Sequence, residues 1–175
     1  HISSWGYLKK FIVDQTGKEK LAEEIEGLWY SPQTLGKADP VPGARTALMI
    51  LLRILGFNQS FATSRISSIH TETQRWVRKY FPYIVHEGNL FMKPDEVSDG
   101  AEFKWSVVRK RNARIIVEDD PKTVNHFMEM NADQRVHILL MNQPWNEDEH
   151  EIDKYRVNNW FMALPRILML AREFR

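Results

Sequence analysis

Apolar side chains recur every three or four residues over 2–13, where Trp5, Leu8, Phe11 and Ile12 share one stripe, and that period predicts a helix. Gly17 ends it. Leu21, Ile25 and Leu28 mark the inward face of a second helix over 18–29, so the chain should open as a helical hairpin. Ser31-Pro32 should break the second helix, and Ala38-Asp39-Pro40-Val41-Pro42-Gly43 reads as a stiff loop whose prolines cannot continue it.

From residue 44 onward, strand and helix patterns alternate. An amphipathic helix over 44–55 is closed by Gly56, and a strand over 57–62 runs into the polar turn Thr63-Ser64-Arg65. A helix over 71–81 turns Trp76, Val77 and Tyr80 inward, and short strands over 83–85 and 90–92 flank His86-Glu87-Gly88-Asn89. A helix over 101–111 precedes a buried-type strand over 114–117 that ends in Glu118-Asp119-Asp120-Pro121. A helix over 122–130, the clearest strand at 136–141, an acidic loop over 142–151 and a last helix over 159–174 around Pro165 complete the chain. Apolar strands without inside–outside alternation, separated by helices, predict an α/β fold: a parallel sheet with helices on both faces. One domain is expected, with 1–37 as a small helical segment and 38–175 as the core.

Composition narrows the partners more than the chemistry. Of 175 residues, 43% are hydrophobic and 27% charged, which suits a soluble, cytoplasmic globular domain. Lys and Arg number 24 against 23 Asp and Glu, so no global charge favours nucleic acid or an anionic membrane. The longest apolar run, 47–55, is broken by Arg53 and is too short to span a bilayer. With no cysteine there can be no disulfide, thiolate metal site or cysteine nucleophile. No signal-peptide pattern opens the chain, and its first residue is His1 rather than Met, as after truncation or processing.

In a parallel sheet the ligand sits beyond the carboxyl ends of the strands, so the polar strand ends matter most. The hydroxyls of Thr63 and Ser64 could donate to a phosphate oxygen beside the turn's N–H groups; equally, they could cap the following helix. Glu118-Asp119-Asp120 crowds three carboxylates, which repel unless a cation sits among them, and Mg²⁺ typically uses one or two carboxylates with water and phosphate. The competing reading is an acidic turn in which Asp120 caps a helix begun by Pro121. Lys104, on the helix between these strand ends, could neutralise a phosphoryl group or be a surface charge. The six histidines show no paired ligand spacing, and Arg109-Lys110-Arg111 ends a helix, where cations suit the dipole.

In chain order these signals resemble the haloacid dehalogenase (HAD) superfamily of phosphatases. The stretch Pro40-Val41-Pro42-Gly43-Ala44, a helix, and then Phe61-Ala62-Thr63-Ser64-Arg65 is similar to the second motif region. Lys104 within Phe103-Lys104-Trp105 looks like the third-motif lysine, and Ile115-Ile116-Val117-Glu118-Asp119-Asp120-Pro121 like the acidic fourth motif. Asn142-Gln143-Pro144-Trp145-Asn146, followed by Arg156-Val157-Asn158-Asn159-Trp160, is similar to the tail of the 5′(3′)-deoxyribonucleotidase-like branch. The resemblance spans roughly residues 38 to 165 and implies a Rossmann-like sheet with a helical cap segment at 1–37. It also implies Thr63 as the phosphate-binding hydroxyl helped by Ser64, Lys104 as the neutralising cation, and Glu118 and Asp119 as holders of Mg²⁺.

The family's first motif, a hydrophobic strand ending in Asp-x-Asp that supplies the nucleophile, has no counterpart before residue 38. Two readings stand. Asp14, in Phe11-Ile12-Val13-Asp14-Gln15-Thr16-Gly17, could be the nucleophile, although the helical stripe explains its neighbours better. Alternatively the strand belongs upstream of His1. Since it is usually central, between the strands ending at Thr63 and Glu118, unpaired edges would then remain there. The functional expectation is a Mg²⁺-dependent phosphomonoesterase acting on a phosphorylated small molecule, nucleotides included, truncated or impaired as it stands. The alternative is a non-catalytic HAD-like module whose acidic loop or apolar last helix serves a partner or an oligomer interface.

Overall fold

A computed structural model describes residues 7–29, 31–85, 88–133, 135–148 and 150–174. The chain opens with α1 (Tyr7–Thr16) and α2 (Glu19–Trp29), packed on each other as a hairpin. Trp5 lies outside the described residues. The inward face of α2 differs from the expected one: Ala22 is buried, while Leu21 and Leu28 are exposed. A pair of short helices buries only a narrow stripe, and a small residue at its centre lets the two backbones approach. Ser31-Pro32 does not merely break α2. It starts α3 (Pro32–Lys37), with Ser31 Oγ accepting from Thr34 N–H at 3.2 Å and Pro32 in the first turn, where its missing N–H costs nothing.

The loop after α3 is held by α5 (His70–Tyr80), whose Trp76 Nε1 donates to Ala38 O at 2.6 Å. Gly43 then starts α4 (Ala44–Arg53) at φ 83°, a conformation that favours glycine, with Phe161 Cε2 3.1 Å from where a Cβ would stand. The next strand, β1 (Phe61–Thr63), is shorter than expected. Its approach is a loop tied to α4, with Phe57 N–H donating to Leu51 O and Gln59 Nε2 to Leu48 O, both at 2.9 Å. Residues 83–85 form a turn against Phe81 O rather than a strand, and β2 (Leu90–Met92) pairs parallel with β1.

The second half contains α6 (Gly100–Lys110), β3 (Ile115–Glu118), α7 (Pro121–Met130), β4 (His137–Met141), the two-residue β5 (Arg156–Val157) and α8 (Trp160–Ala171). β5 was not expected; two residues leave no periodic signal. Strand order is β3-β4-β5, all parallel, with Ile116 opposite Ile138 and Glu118 opposite Leu140. Alternation along the strands divides the core. Ile116, Ile138 and Leu140 pack under Trp105, Val108 and Phe127 from α6 and α7. Ile115, Val117, Leu139 and Met141 pack on α4 and α8 through Leu51, Ala163 and Ile167. The class is therefore a mixed α/β fold of small parallel sheets flanked by helices. Instead of one continuous sheet there are two, because no strand among the described residues joins β1 to β3. Among the described residues, no helix is long and apolar enough to cross a membrane.

Candidate functional site

The polar strand ends meet at one rim. β1 delivers Thr63, with Ser64 and Arg65 just beyond it, and Ser64 lies against the first turn of α6. A Cβ on Gly100 would stand 2.8 Å from Ser64 Cβ, so glycine permits that close approach. One turn further along α6, Lys104 Nζ donates to Glu118 Oε2 at 2.7 Å, with side-chain exposures of only 15% and 10%. α6 thus touches the carboxyl ends of both β1 and β3.

The three consecutive carboxylates have different duties. Glu118 Oε1 accepts from the N–H groups of Asp119 and Asp120 at 3.1 and 3.3 Å, so both of its oxygens are engaged. Asp120 caps α7, accepting from Lys122 N–H, Thr123 N–H and Thr123 Oγ1–H. The capping alternative raised by the sequence is what the structure has at Asp120. Asp119 has neither of these duties. Burial, then the neighbouring Glu118 carboxylate, push its carboxyl up to about 7, against the pull of Lys104.

Arg65 follows the hydroxyl turn, and the sequence alone assigns it no role. Burial lowers its guanidinium from the ordinary value while the charge of Asp119 acts the other way, so the two side chains share one electrostatic neighbourhood. Among the described residues the Arg65 guanidinium makes no hydrogen bond or ion pair. Thr63 Oγ1 only accepts a long 3.4 Å bond from Arg65 N–H, so its own proton is available to an incoming oxygen.

The loop after β4 fixes the far side of the rim. Asn146 is fully buried, and its Nδ2 donates to Asp119 O at 2.8 Å and Met141 O at 2.9 Å. Trp145 Nε1 donates to Asp119 O at 3.1 Å. Arg156, from β5, donates to Asn142 Oδ1 and Asn146 Oδ1, both at 2.7 Å. These residues hold the Asp119 backbone in place and act as positioning groups. The sequence signal was present as a polar cluster after the clearest strand, but not which strand end it would brace.

Asp14 takes no part in this arrangement. It is exposed on α1, a helix, and does not follow a strand as a first-motif nucleophile would. Among the described residues no group of three or more His, Cys, Asp or Glu side chains is set to hold a metal. Of the carboxylates here, Asp119 is the one taken neither by Lys104 nor by a helix cap, and Glu118 could join it on a Mg²⁺ ion only by giving up part of its present engagement. Asp119 owes its raised carboxyl first to burial and only then to the neighbouring Glu118 carboxylate. A surface groove of about 420 Å³ lies elsewhere, lined by Pro42, Arg45, Tyr80 and Tyr83 among others, and includes none of the rim residues. No family model matches the chain, and no curated protein matches it.

Proposed function

We propose that this chain is a HAD-like phosphohydrolase domain that binds a phosphate monoester at this rim with Mg²⁺, nucleotides being among the candidate substrates. The supporting observation is the convergence itself. Thr63, Ser64 and Arg65 come from one strand end, Lys104 from a helix, and Glu118 and Asp119 from a second strand end. Phosphoryl transfer depends chiefly on positioning and charge neutralisation, and these groups provide both. Thr63 and Ser64 would donate hydroxyl hydrogens to phosphate oxygens, and Arg65 and Lys104 would balance their charge. Mg²⁺, held by Asp119 with Glu118, would supply charge neutralisation between the carboxylates and the phosphate.

A second reading has an observation in its favour. Asp14 lies on a helix rather than at a strand end, and among the described residues no basic side chain hydrogen-bonds to Thr63 Oγ1 to activate it. The chain as given then binds a phosphate group without turning it over.

Calorimetric titration with nucleoside monophosphate and inorganic phosphate, with and without Mg²⁺, tests the site, and an aryl phosphate assay tests turnover. Phosphate binding that strengthens with Mg²⁺ and weakens about tenfold or more in Arg65→Gln is expected, since a charge-assisted contact is worth roughly 1.5–3 kcal/mol. Absence of Mg²⁺-dependent phosphate binding would end both readings of the rim. Binding without hydrolysis would leave the non-catalytic one.

A further inference from the structure

Two exposed surfaces of this chain complement each other in charge and in apolar character. The first is the outward face of α2. Leu21, Glu24 and Leu28 follow at i, i+3 and i+7, which sets them on one stripe. All three are exposed, Leu28 by 60%. α2 packs on α1 and α3 through its other side, where Ala22 is buried. The helix carries four glutamates against one lysine, so apolar anchors stand in acidic surroundings.

The second is the groove of about 420 Å³ lined by residues 39–43, by α4, and by the end of α5 with the turn after it. Val41, Met49 and Tyr83 give it exposed apolar walls. Cations border them. Arg45 lines the groove, Arg53 stands over the Tyr83 ring at 4.9 Å, and Lys79 over the Tyr80 ring at 4.7 Å. All three are exposed, and none makes an ion pair among the described residues. The one carboxylate lining the groove, Asp39, already accepts from Tyr80 Oη–H at 3.2 Å. An apolar groove with an unbalanced positive border selects an acidic amphipathic occupant. The lengths agree as well. Arg45, Met49 and Arg53 lie at i, i+4 and i+8 on α4, a stripe about 12 Å long, and Leu21 to Leu28 spans about 10 Å. The acidic stretch after β4 fits less well: Glu151 and Asp153 are exposed, but Ile152 between them is buried and cannot anchor in a groove.

We propose that α2 of one copy docks in this groove of a second copy, with Leu21 and Leu28 as apolar anchors and Glu24 among the cations. One helix face in one groove is a small contact. A two-fold arrangement, in which each copy gives its α2 and receives the other's, doubles it. The groove includes none of the residues assigned to phosphate, so this interface does not depend on the rim.

Sedimentation equilibrium of the whole chain, over about 1 μM to 1 mM, should show a monomer–dimer equilibrium that weakens as salt rises. Leu28→Glu on the helix and Met49→Glu in the groove should each weaken dimerisation about tenfold or more. The two variants are then mixed. The mixture keeps one intact helix face and one intact groove, so heterodimers should form at concentrations where each variant alone is monomeric. Two variants that had merely failed to fold would not rescue each other. A chain that stays monomeric throughout the series, a dimer indifferent to both substitutions, or a mixture without recovery overturns the proposal. Loss in Leu28→Glu alone would mean that α2 pairs with α2, and loss in Met49→Glu alone that groove meets groove; either result also overturns it.

Discussion

Asp119 carries a charge state set by its surroundings more than by its own chemistry. Its carboxyl is raised to about 7, so between about pH 4 and pH 7 the folded chain holds a proton that the unfolded chain has released. Stability therefore falls as pH rises across that window and levels off above it. Asp119→Asn should flatten this slope and leave the chain more stable than the parent at pH 8, read by urea unfolding at stepped pH. Its neighbour Glu118 is bonded by Lys104 at 2.7 Å. Lys104→Met should cost about 3–5 kcal/mol by stranding a buried carboxylate, and adding Glu118→Leu should recover most of that loss. An additive double mutant would show that the pair is not coupled.

At the scale of elements, the caps decide where helices begin. Asp120 caps α7, so Asp120→Ala should lower stability by about 1 kcal/mol while leaving phosphate affinity unchanged. A large loss of affinity would return this carboxylate to the site. β4 is the central strand of its sheet, with Leu139 and Leu140 fully buried on opposite faces. Leu140→Ala should cost about 2–5 kcal/mol, measured by denaturant midpoint at unchanged slope. Much of this was legible from the residues. The apolar runs at β3 and β4, the helices between them and the strand-end position of Glu118 follow from period and composition. Three features were not legible. Pro32 has the sequence signature of a helix breaker, and its place in the first turn of α3 depends on Ser31 capping ahead of it. Residues 83–85 have strand-like composition, yet main-chain bonds to Phe81 O make them a turn. Leu21 and Leu28 lie on the apolar stripe yet are exposed, because amphipathicity shows which stripe could be buried, not whether a neighbour exists to bury it.

At the scale of the molecule, α6 is the joint between the two sheets. It reaches Ser64 at one end, Lys104 bonds β3 from its middle, and Arg111 ties back to Ser60 and Asn58 at the other end. Gly100→Val should push Ser64 aside and loosen the rim. The expected result is a several-fold loss of phosphate affinity and faster amide exchange over Phe61–Thr63, with β4 protection retained. Uniform loss of protection would show instead that the sheets unfold as one unit. Local pattern by itself determined the α/β alternation, the parallel character of the strands, and the presence of hydroxyls, a lysine and carboxylates at strand ends, because these properties repeat over a few residues. Tertiary structure alone decided that the strands divide into two sheets, that Arg65 stands within electrostatic reach of Asp119, and that Asn146 braces the Asp119 backbone. Those facts join residues 27 to 54 positions apart, and a periodic signal says nothing about which distant groups burial will bring together.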